Sequence, residues 1–194
     1  NTDWLIGLFL DALRAQGFED DTIVMFTTDH GEMLGSHKLI AKTHFYDESA
    51  KTMMILRQPG KIAAGTVNAA AQVGTIDMMP TLLDLAGVTI PHGLDGKSFK
   101  RICYGEHSDA FSELFAVNGW SRMLRFKQYK YIRSEVEGET YEFLFDLSSD
   151  PDEINSVYAA AGYEAVSQQA HERISAWLAA QGIGVTYPLP PKTT

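Results

Sequence analysis

The chain has a single cysteine, Cys103, among its 194 residues, so no intramolecular disulfide can hold it together. A domain of this size can bury a sufficient core without one, and the scarcity fits a reducing compartment. No basic run is present either. Sixteen Lys and Arg face 25 Asp and Glu, for a net charge of −9 and a pI near 5.0. That balance argues against a nucleic-acid or anionic-membrane partner, yet it leaves room for an anionic small substrate, because a bound cation reverses the local field. Long apolar runs are missing as well. The stretch at residues 4–10 is interrupted by Gly7 and falls far short of the roughly 20 residues that span a bilayer. No positively charged leader precedes it. What is present is ordinary globular composition, 45% hydrophobic and 21% charged.

Periodicity gives an α/β organisation. Trp4, Leu5, Leu8, Phe9 and Leu13 recur at helical spacing, which predicts a helix over residues 2–16 closed by Gly17. The β-branched and apolar run at residues 22–28 reads as a buried strand, and residues 53–56 as a second short one. Residues 77–86 read as a helix with Thr75 or Asp77 as cap, Pro80 in its first turn and Gly87 at its end. From Ser108 the pattern changes. Strands are expected at 110–115, at 122–133 around a turn near Lys127-Gln128, and at 141–147, followed by an Asp150-Pro151-Asp152 turn. Residues 164–180 form an amphipathic helix whose inner face is Val166, Ala170, Ile174, Trp177 and Leu178. The expected division is therefore an α/β part at 1–107 and a small antiparallel sheet with a packing helix at 108–194, ending in a Pro-rich extended tail at 187–194.

The chemistry concentrates between residues 22 and 48. The first strand ends on Asp29-His30-Gly31, and ligands of open α/β sheets bind where strands stop at their carboxyl ends. Asp29 supplies a hard oxygen and His30 a borderline nitrogen, a pair that suits Zn, Mn or Ca once other oxygen ligands complete the shell. Neighbouring side chains on a strand point apart, so both meet one ion only where the strand breaks, as Gly31 permits. Lys42, thirteen residues after Asp29, is placed to clamp a sulfuryl or phosphoryl oxygen.

The run from Thr28 to Glu48 resembles the signature of the sulfatase family within the alkaline phosphatase superfamily. There a strand leads into T-[ST]-D-[HN]-G, a Leu-Gly-x-His segment and K-x-x-x-Y-[ED]-E. Thr28, Asp29, His30, Gly31, Leu34, Gly35, His37, Lys42, Tyr46, Asp47 and Glu48 stand in that order and spacing. Residues 55–60, 76–87 and 94–98 also resemble the carboxyl half of that family, as do 144–147 with Asp150-Pro151 and Glu153-Ile154-Asn155. The resemblance implies that Asp29 and His30 are the second pair of ligands to one divalent cation. Calcium is common where Asn occupies the His30 position, whereas His there resembles the phosphonate monoester hydrolases and implies Mn or Zn. Lys42 is implied to contact the transferred group, and His37 either to touch substrate or to hold its loop.

The family's first pair of aspartates and its formylglycine nucleophile, in [CS]-x-P-x-R, have no match in this chain. Cys103 lacks the following Pro and Arg and reads as a small buried hydrophobe. The resemblance therefore implies an upstream part, absent here, as partner to this chain, and a chain inactive without it. Asn1 begins inside a helical pattern, in keeping with that expectation. The expected substrate is a small sulfate or phosphonate ester. The rival readings are a phosphonate monoester or phosphodiester hydrolase on the same scaffold, and a non-catalytic binding module. His44 is read as a solvated loop residue with the pocket as its alternative, Asp47 and Glu48 as anchors of the segment they begin. Asp77 and Asp84 are read as capping and exposed, and Trp120 and Arg122 as packing residues.

Overall fold

The computed structural model describes residues 1–183, so the predicted tail at 187–194 lies outside the described residues. The chain forms two compact units. One comprises Asn1–Thr28 and Met53–Asp109; the other comprises Asp29–Thr52 and the chain from Ala110 onward.

In the first unit, helix α1 (Thr2–Ala15) ends where Gly17 takes the left-handed conformation, φ 73°. Its N–H donates to Arg14 O at 3.0 Å, and that of Phe18 to Leu13 O at 3.0 Å, which satisfies the last carbonyls. None of α1 is buried, and Trp4, Leu5 and Phe9 stand exposed. Strands β1 (Val24–Thr27) and β2 (Met54–Arg57) pair antiparallel, from Val24 opposite Arg57 to Thr27 opposite Met54. Both lie within one or two residues of the predicted bounds. Helix α3 (Met78–Leu85) follows a 3-10 turn at Thr75–Asp77.

Asp77 differs from its expected exposed role. It is buried, and its two oxygens accept the N–H groups of Gly74 and Lys97, each at 2.8 Å. Thr81, also buried, donates to Asp77 O at 2.6 Å and accepts from Phe99 N–H at 3.0 Å. Asp84 accepts from Ser98 Oγ at 2.6 Å and Lys100 Nζ at 3.0 Å. The segment around residues 94–100 is thus stitched along α3, and Gly96 approaches so closely that a Cβ there would sit 1.9 Å from Ile76 O. Helix α4 (Lys100–Cys103) continues that segment and leaves Cys103 half-buried, with its thiol pushed up by burial.

The second unit is built on a four-stranded antiparallel meander: β3 (Glu113–Asn118), β4 (Ser121–Phe126), β5 (Tyr129–Val136) and β6 (Glu139–Asp146). The strand expected at 110–115 starts later because Asp109–Phe111 forms a 3-10 turn. Alternation sorts the strands into two faces. Leu124, Phe126, Tyr131 and Leu144 point to one face and pack on helix α5 (Glu164–Ala180) through Ala170, Ile174 and Leu178. Met123, Ile132 and Phe145 point to the other and pack on Phe45 and, in part, Tyr46. The meander is therefore covered on one side by a helix and on the other by the segment that follows Lys42; the short helix α2 (Asp47–Ala50) lies in that segment.

On the α5 side a polar cluster closes around Glu142. Its carboxylate accepts from Tyr131 Oη, from Tyr158 Oη at 2.8 Å, and lies 2.7 Å from His171 Nδ1. Burial pushes the Glu142 carboxyl up, and the three hydrogen bonds outweigh it, so the group titrates below its ordinary range. Burial and the same carboxylate raise Tyr131 and push Tyr158 up to about 12.

A folded-state pKa below the unfolded one means that Glu142 contributes stability above the ordinary glutamate range, which is lost as pH falls through the folded value. Glu142→Gln is expected to flatten the acid side of a pH–stability profile, measured by denaturation at stepped pH. Ile174→Ala, at a fully buried position, is expected to cost about 2–5 kcal/mol in the same assay.

Candidate metal and anion site

Asp29 and His30 open the second unit, directly after the strand run that ends at Thr28. Their side chains converge: His30 Nε2 lies 3.4 Å from Asp29 Oδ2, while Asp29 Oδ1 accepts the His30 backbone N–H at 2.9 Å. His30 Nδ1 is 2.6 Å from Gly31 O. A carbonyl only accepts, so this contact places a proton on Nδ1, and in the neutral ring Nε2 is then the lone-pair nitrogen beside Asp29 Oδ2. Two ligands of one divalent ion, bound at about 2.0–2.4 Å, stand roughly 3.0–3.4 Å apart. The pair has that spacing, and an imidazole whose second nitrogen donates to a carbonyl is the usual arrangement of a metal-bound histidine. The donor set fits a cation, as half a shell. Among the described residues no group of three or more His, Cys, Asp or Glu is placed to close one.

Gly31 is required by close approach rather than by backbone freedom. A Cβ would fall 1.9 Å from Glu48 O, and the Gly31 N–H donates to Ser49 O at 2.9 Å. This contact brings the 29–31 corner against the 48–49 backbone. Between them the chain makes a tight loop in which Leu34, His37, Lys38 and Ala41 all have positive φ. Hydrogen bonds from Met33 N to Ala41 O and from Gly35 N to Leu39 O, both 2.9 Å, close it, and Met33 is its buried plug.

Lys42 is exposed and makes no hydrogen bond or ion pair among the described residues, so its ammonium is available to an anion. Its backbone is held on both sides: Ala41 by Met33, and Thr43 through Asn118 Nδ2, which donates to Thr43 O at 2.9 Å. His37 is not brought to Asp29 and His30. Its ring stacks on Tyr46, with centroids 3.9 Å apart and planes 12° from parallel, and its Nε2 lies 3.6 Å from Glu48 Oε1. That is a loop-holding arrangement. His44 lines a cavity of about 250 Å³ with Leu39, Tyr46, Trp120, Tyr141 and Phe143, and burial lowers its pKa.

Sequence reasoning missed Lys130 and Glu153. Lys130, on β5, is buried and pairs with Asp47 and, at 2.6 Å, with Glu153. A signal was available, because Lys130 shares strand parity with Ile132 and so falls on an inward face. The expected anchoring role of Asp47 takes this form.

Residues 35–180 match the family described as N-sulphoglucosamine sulphohydrolase, C-terminal. The chain belongs to the sulfatase family, as a carboxyl-terminal portion. It is 30% identical over 193 residues to the ulvan-active sulfatase of Formosa agariphila, covering 93% of this chain and 37% of that protein. It is 33% identical over 171 residues to arylsulfatase K of Bos taurus, covering 81% and 31%. Among solved structures, a protein in complex with its substrate D-glucosamine-2-N,6-O-disulfate superposes with a TM-score of 0.82 at 25% identity, over 90% of this chain and 37% of that one. The phosphonate monoester hydrolase of Agrobacterium radiobacter superposes with a TM-score of 0.77 at 26% identity, over 92% and 39%. The chain therefore spans between 31% and 39% of the length of these relatives.

Gly31→Ala is expected to force the 29–31 corner away from residues 48–49 and to cost about 1–3 kcal/mol, by the logic of an overpacked contact that cannot relax. Chemical denaturation measures it. An unchanged midpoint would mean that the close approach is not made.

Proposed function

We propose that this chain is the part of a sulfuric ester hydrolase that carries half of a metal site and the anion clamp. The observation that supports it is the Asp29–His30 pair, with Nε2 3.4 Å from Oδ2 and Nδ1 engaged by Gly31 O. In this reading Asp29 and His30 hold a divalent cation, Ca²⁺, Mn²⁺ or Zn²⁺. When bound, the cation polarises the ester and favours an ionised nucleophile. Asp29 contributes a carboxylate oxygen. His30 contributes Nε2, kept as the lone-pair nitrogen because Gly31 O holds the proton at Nδ1. Lys42 places its ammonium against a nonbridging sulfuryl or leaving oxygen, where negative charge grows as the S–O bond breaks. The nucleophile, a formylglycine, and the remaining metal ligands are assigned to residues outside this stretch. By itself the stretch is inactive in this reading.

The likeness to a phosphonate monoester hydrolase, together with a histidine rather than an asparagine at position 30, favours one second reading: a phosphonate monoester or phosphodiester substrate on the same scaffold. Matched aryl sulfate, aryl phosphonate and sulfated glucosamine substrates separate the two in the full-length protein. The sulfatase reading expects the highest kcat/KM on a sulfate ester; a higher value on the phosphonate overturns it in favour of the second. Lys42→Ala is expected to lower kcat/KM by about 10²–10³-fold, as for loss of one preorganised charge donor. Asp29→Asn and His30→Ala are expected to lower the stoichiometry of bound metal, measured by elemental analysis after dialysis. Retention of full metal content by both variants would exclude the pair as ligands.

A further inference from the structure

We propose that Lys130 and Glu153 are positioning residues for the anion clamp, fixing the segment that carries Lys42 against the antiparallel sheet. The proposal rests on the functional reading above for what Lys42 does. The anchoring itself stands on geometry.

The Lys130 ammonium is surrounded by three acceptors. It donates to Phe45 O at 3.1 Å and to the Asp47 carboxylate, and it lies 2.6 Å from Glu153 Oε1. Two of its N–H groups donate, to Phe45 O and to Asp47, while Glu153 Oε1 meets the ammonium as an ion pair. Glu153 uses its second oxygen to accept the Asp47 backbone N–H at 2.6 Å. The Lys130 and Glu153 side chains are 2% and 1% exposed. Glu153 reaches this position from a left-handed backbone, φ 55°, in the turn after β6.

Two carboxylates share this one buried cation, and the sharing is unequal. Burial pushes Asp47 up, but Lys130 and then Lys51 bring it below its ordinary range. Burial raises Glu153, and the attraction of Lys130 does not overcome it. Arg125 lies on the same sheet face, opposite Lys130 in register, and adds positive potential to both carboxylates.

Such a group is a poor source of net stability, because the desolvation of its charges offsets their attraction. Apolar side chains would cover this sheet face equally well, as Phe45 and Ile132 already do beside it. What apolar contact cannot supply is direction. Here two backbone groups, Phe45 O and Asp47 N–H, are fixed three and five residues after Lys42 by side chains from elsewhere in the unit. With the Met33–Ala41 and Asn118–Thr43 bonds, residues 41, 43, 45 and 47 are each tethered. Lys42 lies between the first two tethers with its side chain free. A lysine whose backbone is held this way spends only side-chain freedom, and no main-chain freedom, when an anion arrives.

The test uses the full-length protein with three variants: Lys130→Met, the pair Lys130→Met/Glu153→Leu, and Asn118→Ala. Lys130→Met alone leaves the buried Glu153 without its cation and the half-buried Asp47 with Lys51 only, and is expected to lower Tm. The double variant removes the charges together and is expected to recover most of that loss. Backbone hydrogen exchange at residues 42–47 is nonetheless expected to be faster than in the parent, with kcat/KM on the best ester substrate lowered roughly 10- to 100-fold. Asn118→Ala, at a half-buried hairpin end, is expected to shift exchange and kcat/KM in the same direction, and it decides the question if the double variant fails to fold. Unchanged exchange at 42–47 in the variant that folds overturns the anchoring, whatever the parent hydrolyses. Faster exchange with unchanged kcat/KM overturns the positioning role. A parent that hydrolyses neither ester class overturns the functional reading, and exchange still decides the anchoring.

Discussion

A buried ammonium between two carboxylates is the constraint on which the second unit depends. Lys130 sits on an inward face of β5, where an uncompensated charge would be strongly destabilising. Its compensation comes from Asp47 and Glu153, which stand 83 residues before it and in the turn after β6. Satisfying that one cation obliges the 43–50 segment to lie on the sheet and the turn after β6 to fold back onto it. The opposite face carries no such obligation. There Leu124, Phe126 and Leu144 meet Ala170, Ile174 and Leu178 of α5 by apolar packing, with Glu142 and its tyrosines as the polar inclusion.

The candidate site inherits its geometry from this arrangement. Gly31 touches the backbone of Glu48 and Ser49, so the Asp29–His30 corner is referenced to the same segment that Lys130 holds. His37 stacks on Tyr46 and so fastens the loop to that segment, and four non-glycine residues accept positive φ to make the loop turn back. Left-handed backbone at ordinary residues is costly and persists only where surrounding contacts over-determine it. Asp29, His30 and Lys42 lie within fourteen residues of sequence, and the contact of Gly31 with Glu48 and Ser49 closes the stretch of chain that carries all three.

In the first unit the family motif at residues 76–98 is structural in character. Asp77, Thr81, Asp84, Gly96 and Ser98 fasten one loop along α3 through hydrogen bonds and close approach. Reading Asp77 as an exposed cap erred because helix-start residues are ordinarily solvated. Only the arrival of the Lys97 backbone shows why both carboxylate oxygens are needed. The helix at Glu164–Ala180 was legible to the residue, since its apolar stripe from Val166 to Leu178 runs about three turns. The strand ends were less so: β3 is delayed by a 3-10 turn that leaves no mark on a period of two.

The sequence by itself determined the element types and the division of each strand into two faces, and it singled out Asp29, His30 and Lys42 as the candidates for chemistry. These follow from periodicity and from short motifs, which are properties of neighbouring residues. Tertiary structure alone decided that His30 presents Nε2 to Asp29 Oδ2, that His37 faces Tyr46 and Glu48, and that Lys130, Asp47 and Glu153 share one buried charge. The reason is physical. A hydrogen-bond partner or a counter-ion is selected by distance in space, and Glu153 bonds an amide 106 residues away along the chain. No local pattern records that choice.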